Sequence, residues 1–326
     1  MAAISMIEWL WASTPQFDFW KCLLTVFLVV NIKNLPLVFH YRIFRPIIQN
    51  VFKKKSRHQL ISIQHGNKTL PLAFLPCITT TYTPMLEADY NLHKSNSTYF
   101  TDLDASRSHL LSTLCYSGIP IVDQELAAEG KSGMLAAIIG SVTTSFKKEI
   151  RIFQQYEVWS RILTWDQKWL YIVTHFVQKG SVKHQCLVAG TVMLSGEHVC
   201  AKCGGAGRDG GKPGAGPVVF ATSVSKYVFK KGRFTVAPER LLKASGLLGG
   251  DKMGSEDFAK HREDTDGTTT IGQVVENERL QGLKYAHAWN ELESLHSEFV
   301  GQTEKGDSVP AIGRFDDISG HGFSYC

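Results

Sequence analysis

Hydrophobic and polar positions change period along this chain, and each change predicts a different kind of element. The first apolar block, residues 17–41, runs without interruption only from Cys22 to Val30 and then meets Asn31, Lys33 and Asn34. A membrane span needs roughly 20 apolar residues. A span here must therefore carry those polar groups, whereas an amphipathic helix lying on a bilayer or packed on a domain need not. Trp20 and Tyr41 stand where two membrane interfaces would fall. "HQLISIQ" then predicts a short strand with a turn at "HGNK", and "CITTTYTPMLEADY" a longer strand alternating from Ile78. In "KSNSTYFTDLDASRSHLLSTLC" the period lengthens. Tyr99, Phe100, Leu103, Leu110, Leu111 and Leu114 recur at helical spacing, Ser95 or Asn96 can cap the start, and Gly118 with Pro120 ends it.

From there the period shortens to two. Residues 136–150, 155–165, 168–178 and 217–231 read as four long strands, two of them joined by the short turn "DQK". Together they predict an antiparallel meander. Its apolar face needs a cover, and the one long helix is the candidate, which makes the fold class α+β. Residues 195–217 are Gly-rich and form an insertion between the last two strands. Beyond Gly246 the chain turns polar, but residues 276–300 predict a further helix with Leu280, Leu283, Trp289, Leu292, Leu295 and Phe299 near one face. The pattern thus divides the chain into an anchor and basic linker (1–58), a folded domain (59–247) and a polar tail holding that helix (248–326).

Composition adds constraints. The 326 residues are 44% hydrophobic, enough for a packed core, and the formal net charge is +5. The basic run Lys53, Lys54, Lys55 and Arg57 follows the apolar block, which fits a membrane surface better than nucleic acid. Arg42, Arg45 and that run lie after the block, with Glu8 and Asp18 before it. The positive-inside rule then places the larger C-terminal part in the cytosol, on an endomembrane such as the endoplasmic reticulum. Seven cysteines without framework spacing point to a reducing compartment. Cys200-x-x-Cys203, with His184, Cys186 and His198 nearby, is the one zinc-like group. It lacks a second pair and a rigid frame, so no metal or cofactor is expected. "GAGRDG" in the insertion cannot open a helix and is no dinucleotide fingerprint.

One short stretch carries candidate chemistry. Glu87, Asp89, Asn91 and His93 occupy every second position and would share a face of an extended strand. A carboxylate, an amide and an imidazole are the groups that move or orient a proton, and the helix start behind them offers N–H groups to a developing oxyanion. A polar strand end meeting solvent would produce the same spacing.

Asp89 to Tyr99, "DYNLHKSNSTY", resembles the D-x-N-x-H-x-x-N-x-x-Y signature of hotdog-fold acyl thioesterases, including plant acyl-carrier-protein enzymes. "STYFTDLDASRSHLL" and "YEVWSRILTWDQKWLYIVTHFV" are similar to fungal thioesterase-like and thioesterase superfamily member 6-like proteins. The resemblance implies a hotdog fold, with a long helix wrapped by an antiparallel sheet, carrying here an N-terminal membrane-anchor helix. It implies a homodimer with sites at the subunit interface. The implied substrate is an acyl-CoA or carrier-bound acyl thioester, in fungal lipid or polyketide metabolism. Asp89, Asn91 and His93 match the positions that carry catalysis. Asn96 and Tyr99 match positions assigned to substrate binding, although they also look structural. The plant enzymes draw a further acidic residue and a cysteine from a later strand, and neither has a counterpart readable here. A non-catalytic acyl- or protein-binding module and a hydratase or dehydratase remain the rival readings.

Overall fold

Strand pairing follows the alternation in the sequence. The computed structural model describes residues 19–52, 62–65, 68–182, 217–248 and 270–290. A hairpin of β1 (Ser62–His65) and β2 (Lys68–Pro71) precedes the main sheet. That sheet contains β3 (Cys77–Tyr82), β4 (Leu135–Phe146), β5 (Gln155–Trp165), β6 (Trp169–Gln178) and β7 (Val219–Lys231), in the order β3-β5-β6-β7-β4, with β8 (Phe234–Val236) added beside β7. All neighbours are antiparallel. Gly140 sits at a bulge in β4, where a Cβ would fall 2.4 Å from the Trp169 ring, so a side chain there would displace the indole.

Six helices accompany the strands among the described residues. They are α1 (Phe19–Val30), α2 (Val38–Phe52), α3 (Tyr99–Cys115), α4 (Ile119–Ala128), α5 (Pro238–Ala244) and α6 (Ile271–Asn290). The sheet wraps α3, which buries Leu103, Leu110 and Leu114 against β5, β6 and β7. This is the hotdog arrangement that the resemblance implied, and the helix-covered antiparallel sheet that the pattern predicted. Its core has two apolar halves. One gathers Leu110, Leu114, Ile162, Trp165, Leu170 and Phe229, and the other gathers Tyr99, Leu103, Ile150, Tyr156, Val158 and Phe176. Between them runs a belt of buried hydroxyls: Ser106 Oγ lies 2.7 Å from Ser160 Oγ, which lies 2.8 Å from Thr174 Oγ1. Each hydroxyl finds a partner within the belt, so burial leaves none of these three unsatisfied.

The N-terminal reading needs correction. No helix among the described residues is long and apolar enough to cross a membrane. α1 stops at Val30 because Asn31 and Lys33 belong to the protein interior, at 0% and 7% exposure. Asn31 Oδ1 accepts the Leu86 N–H at 2.8 Å, and Lys33 Nζ reaches Glu87 and Asp102 at 2.9 Å each. The residues that looked costly inside a bilayer are thus spent on contacts with the folded domain. α2 packs on α3, with the Ile43 carbonyl accepting from Ser108 Oγ at 2.7 Å and Asn50 Nδ2 donating to Ser112 Oγ at 3.2 Å. Residues 31–52 therefore form part of the folded unit.

The C-terminal helix begins five residues before the predicted start at 276, and its packing gives it a definite role. α6 lies on the outer face of the sheet, where Ala286 and Trp289 pack with Leu163, Tyr171 and Val173. Gly282 permits this approach, since a Cβ there would sit 2.4 Å from the Leu163 carbonyl oxygen. Thr164 Oγ1 donates to the Arg279 carbonyl at 2.7 Å, fixing the register. The predicted extension to residue 300, the Gly-rich insertion and the Cys200–Cys203 group lie outside the described residues.

Candidate active site

The stretch from Glu87 to His93 is not extended, and this overturns the shared-face geometry. Pro84 ends β3's course, a single 3-10 turn covers Met85–Glu87, and Leu92 takes a positive φ of 61°. The chain therefore folds back on itself. The Asp89 N–H donates to the His93 carbonyl at 2.8 Å, and Ala88 bridges to Lys94. Within this reversal Asp89 Oδ1 accepts the Asn91 N–H at 2.9 Å and the His93 N–H at 3.3 Å. That is the local side-chain cap which makes Asp favourable in turns. Its other oxygen, Oδ2, has no hydrogen-bond partner among the described residues.

The four alternating residues separate accordingly. Glu87 is buried, Asp89 and His93 are half-buried, and Asn91 faces solvent. His93 Nε2 stands 3.2 Å from Glu149 Oε2, because the segment after β4 bridges to His93 through Arg151. Glu149 is the acidic neighbour that the sequence did not expose. It closed a strand-like run, "SFKKEI", with nothing in its spacing to link it to His93. Asn96 opens a 3-10 turn, Asn96–Thr98, that runs into α3, and it is exposed. The first N–H groups of such a start have no acceptor within the helix. Tyr99 does not face the turn's open side. It is 2% exposed and packs edge-on against Phe146 and Phe176 at 5.0 and 4.9 Å, within the apolar half that holds Leu103 and Tyr156.

Beneath the turn lies an ion cluster. The two stem residues, Glu87 and Lys94, point inward and pair with each other. Lys94 also meets Asp102 on α3 at 3.0 Å, Arg42 meets Asp102 at 2.6 Å, and Tyr156 donates its hydroxyl to the same carboxylate. Burial alone would raise the Asp102 pKa. Lys33, Lys94 and Arg42, with the Tyr156 hydrogen bond, outweigh it and hold the carboxyl well below the usual range. For Lys33, burial dominates and lowers the pKa, helped by Lys94 and Arg42 and opposed by Asp102 and Glu87. The cluster holds the ends of the Asp89 turn in place.

The turn stands open to solvent, with Tyr90 and Leu92 at 93% and 68% exposure. A separate pocket, lined by Tyr116, Ile119, Pro120, Asp123, Met134 and Leu135, lies at the far end of α3, about 25 Å along a 17-residue helix. No group of three or more His, Cys, Asp or Glu able to hold a metal occurs among the described residues.

Comparison with known proteins adds to this geometry. The model of the family described as the thioesterase-like superfamily matches residues 83–212, which include the turn and α3. A protein of Emericella nidulans named "Probable thioesterase atnL" is 34% identical over 334 residues, covering 98% of this chain and 100% of its own. "Thioesterase poxG" of Penicillium oxalicum is 30% identical over 307 residues, covering 93% of this chain and 92% of its own. Among solved structures, 4-hydroxybenzoyl CoA thioesterase from Pseudomonas sp. strain CBS-3 is similar at 13% identity and a TM-score of 0.33, over 52% of this chain and 99% of that one.

Proposed function

Because the chain belongs to the thioesterase-like superfamily and is a thioester hydrolase, we propose that Asp89 is the group on which its chemistry turns. The observation that carries this is the asymmetric setting of its carboxylate. One oxygen is fixed by two turn amides, the other has no partner among the described residues, and the chain that follows the turn runs through Asn96–Thr98 into α3. Asp89 takes a proton from water as the water oxygen bonds to the thioester carbonyl carbon. The N–H groups at Asn96 and Ser97 face the resulting oxyanion. The C–S bond then breaks, and the proton on Asp89 passes to the departing thiolate. His93, held toward Glu149, orients the carbonyl or the water, and Asn91 lines the approach. Direct attack by Asp89 on the carbonyl is the variant of the same reading.

The substrate is an acyl-CoA or a carrier-bound acyl thioester of fungal lipid or natural-product metabolism. The protein acts as a homodimer. β4 pairs with β7 on one side only and presents Ile138 and Ile139 outward, which supports closure of the open turn by a second copy. The N-terminal segment attaches the protein to an endomembrane with the domain in the cytosol. Asp89→Asn tests the mechanism. Hydrolysis of an acyl-CoA panel should fall by at least ~100-fold, the usual contribution of an acid–base group, with the melting transition retained. An active Asp89→Asn enzyme would move the base to His93, and enoyl-CoA hydration without hydrolysis would favour the hydratase reading.

A further inference from the structure

Residues 19–52 present a surface that thioester hydrolysis does not use. α1 has no buried residue, and Trp20, Leu24 and Val29 are 75%, 56% and 63% exposed. Only Lys21 and Thr25 interrupt its apolar surface. They lie one turn apart on one edge, where Thr25 Oγ1 donates to the Lys21 carbonyl. α2 adds a stripe at helical spacing: Tyr41, Phe44, Ile48 and Val51 are exposed, while Ile43 and Asn50 engage α3. Met85 and Leu86 extend the surface where the Leu86 N–H meets Asn31.

Three features identify what covers this surface. A groove on a protein covers one side of a helix, but α1 is apolar on every side except the Lys21–Thr25 edge, so its surroundings must be apolar nearly all round. From Phe19 to Leu86 the chain has no Asp or Glu and nine Lys or Arg residues; Lys33 and Arg42 pair with Asp102, and the other seven leave a charge bias suited to anionic headgroups. Finally, the 12 residues of α1 reach about 18 Å, short of the ~30 Å hydrocarbon core. Polar residues flank α1 on both sides in the sequence. Asn31 and Lys33 are held inside the domain, and Gln16 and Asp18 precede Phe19 in the sequence.

We propose that α1 and α2 form an in-plane anchor in one leaflet of an anionic bilayer, with the Lys21–Thr25 edge toward the headgroups and no crossing of the membrane. This rests on the membrane attachment put forward above and specifies its mode. Helices of this kind sink roughly 5–10 Å into the boundary of headgroups and acyl chains. Lys33 and Arg42 fasten the anchor to Asp102 on α3, so the bilayer lies against the face from which the Met85–Leu92 loop projects.

The full chain, with an epitope tag ahead of residue 1, can be mixed with sealed vesicles of phosphatidylcholine alone or of equimolar phosphatidylcholine and phosphatidylserine, then floated and treated with protease from outside. The expected result is flotation with the anionic vesicles and digestion of the tag together with the domain. Leu24→Asp with Phe27→Asp should lower flotation by at least ~10-fold, leaving hydrolysis of a short, water-soluble acyl-CoA unchanged. Flotation with a protected tag would overturn the one-leaflet mode while leaving attachment standing. Absence of flotation would overturn both. A halving of particle mass by the double substitution, without vesicle binding, would assign α1 to a second copy of the chain and also overturn the proposal. Hydrolysis is read separately in every case.

Discussion

Asp102→Asn removes one negative charge from the buried cluster while keeping its shape, and its cost follows from counting charges. Lys33, Lys94 and Arg42 face Glu87 and Asp102, so the cluster already carries one excess positive charge. The substitution raises that excess to two and leaves Arg42 without its carboxylate. Removing one partner of a buried pair typically costs about 3–5 kcal/mol, and in a domain of this size that lowers Tm on the order of 10 °C. The pH dependence has a definite sign at both ends. The Asp102 pKa is depressed in the folded state, so its contribution is complete above the unfolded value near ~3.9 and is lost as pH falls toward the folded value. The gap between native and variant proteins should therefore shrink in acid. Lys33 has a lowered folded pKa, and the unfolded lysine keeps its proton to about 10.4, so stability rises with pH on the alkaline side. In the variant a neutral Lys33 relieves the excess charge, and the gap should narrow as pH rises on the alkaline side. Thermal melts followed by circular dichroism across this range provide the assay. A Tm change under ~2 °C at neutral pH would refute the charge count, because it would correspond to less than about 1 kcal/mol.

The remaining expectations are briefer. Gly282→Val should push α6 off β5, since even a Cβ meets the Leu163 carbonyl oxygen at 2.4 Å. Overpacking of this kind costs about 1–3 kcal/mol, and limited proteolysis should show earlier release of the C-terminal segment with hydrolysis retained. Replacing residues 197–216 by a short Gly-Ser turn should preserve the melting transition, because the stem is closed by the Gln178 N–H donating to the Val218 carbonyl at 2.9 Å. Stoichiometric zinc release with loss of the transition on chelation would restore the Cys200–Cys203 group as a structural site. Asn67-Lys68-Thr69 and Asn96-Ser97-Thr98 match the glycosylation triplet; in the proposed cytosolic orientation both should stay unglycosylated in cells, and glycans on either would place the domain in the lumen and remove access to acyl-CoA.

The large elements were legible because their sequence signals are long. β5, β6 and β7 are runs of ten residues or more rich in β-branched and aromatic residues, and α3 carries Tyr99, Leu103, Leu110 and Leu114 at helical spacing on either side of the buried Ser106, so local pattern and final packing agree in element type. Glu87 to His93 failed for the opposite reason. Period two over seven residues is compatible with a strand, but Pro84 and the positive φ of Leu92 are decided locally and reverse the chain. The ion cluster was invisible because its members are spread through the sequence. Lys33 meets Asp102 across 69 positions, and no spacing rule links them. A lysine in an apolar block reads as a cost to a membrane helix until a buried carboxylate partner is known. Glu149 is a similar case, brought to His93 by strand topology alone.

The cluster and the candidate catalytic turn share their stems, and this explains why an expensive set of buried charges sits where it does. Ordering backbone costs roughly 1–2 kcal/mol per residue, so a free loop from Ala88 to His93 would sample many positions for Asp89. Glu87 and Lys94 close its two ends by pairing with each other and with Lys33 and Asp102. Lys94 also donates its N–H to the Ile150 carbonyl at 2.8 Å, and Ser95 donates to the Glu87 carbonyl at 2.7 Å. An apolar plug of equal volume would stabilise the core as well or better. It would not fix the direction of the two stems, because apolar contact lacks the directionality of ion pairs and hydrogen bonds. Directional pairing sets where the loop leaves the core, and hence where the Asp89 carboxylate stands relative to the start of α3. The same Asp102 receives Lys33 and Arg42 from the N-terminal helices. One buried carboxylate thus ties the proposed anchor, α3 and the candidate turn into a single frame, so that under the proposed attachment the orientation of the protein on a surface would also orient the turn.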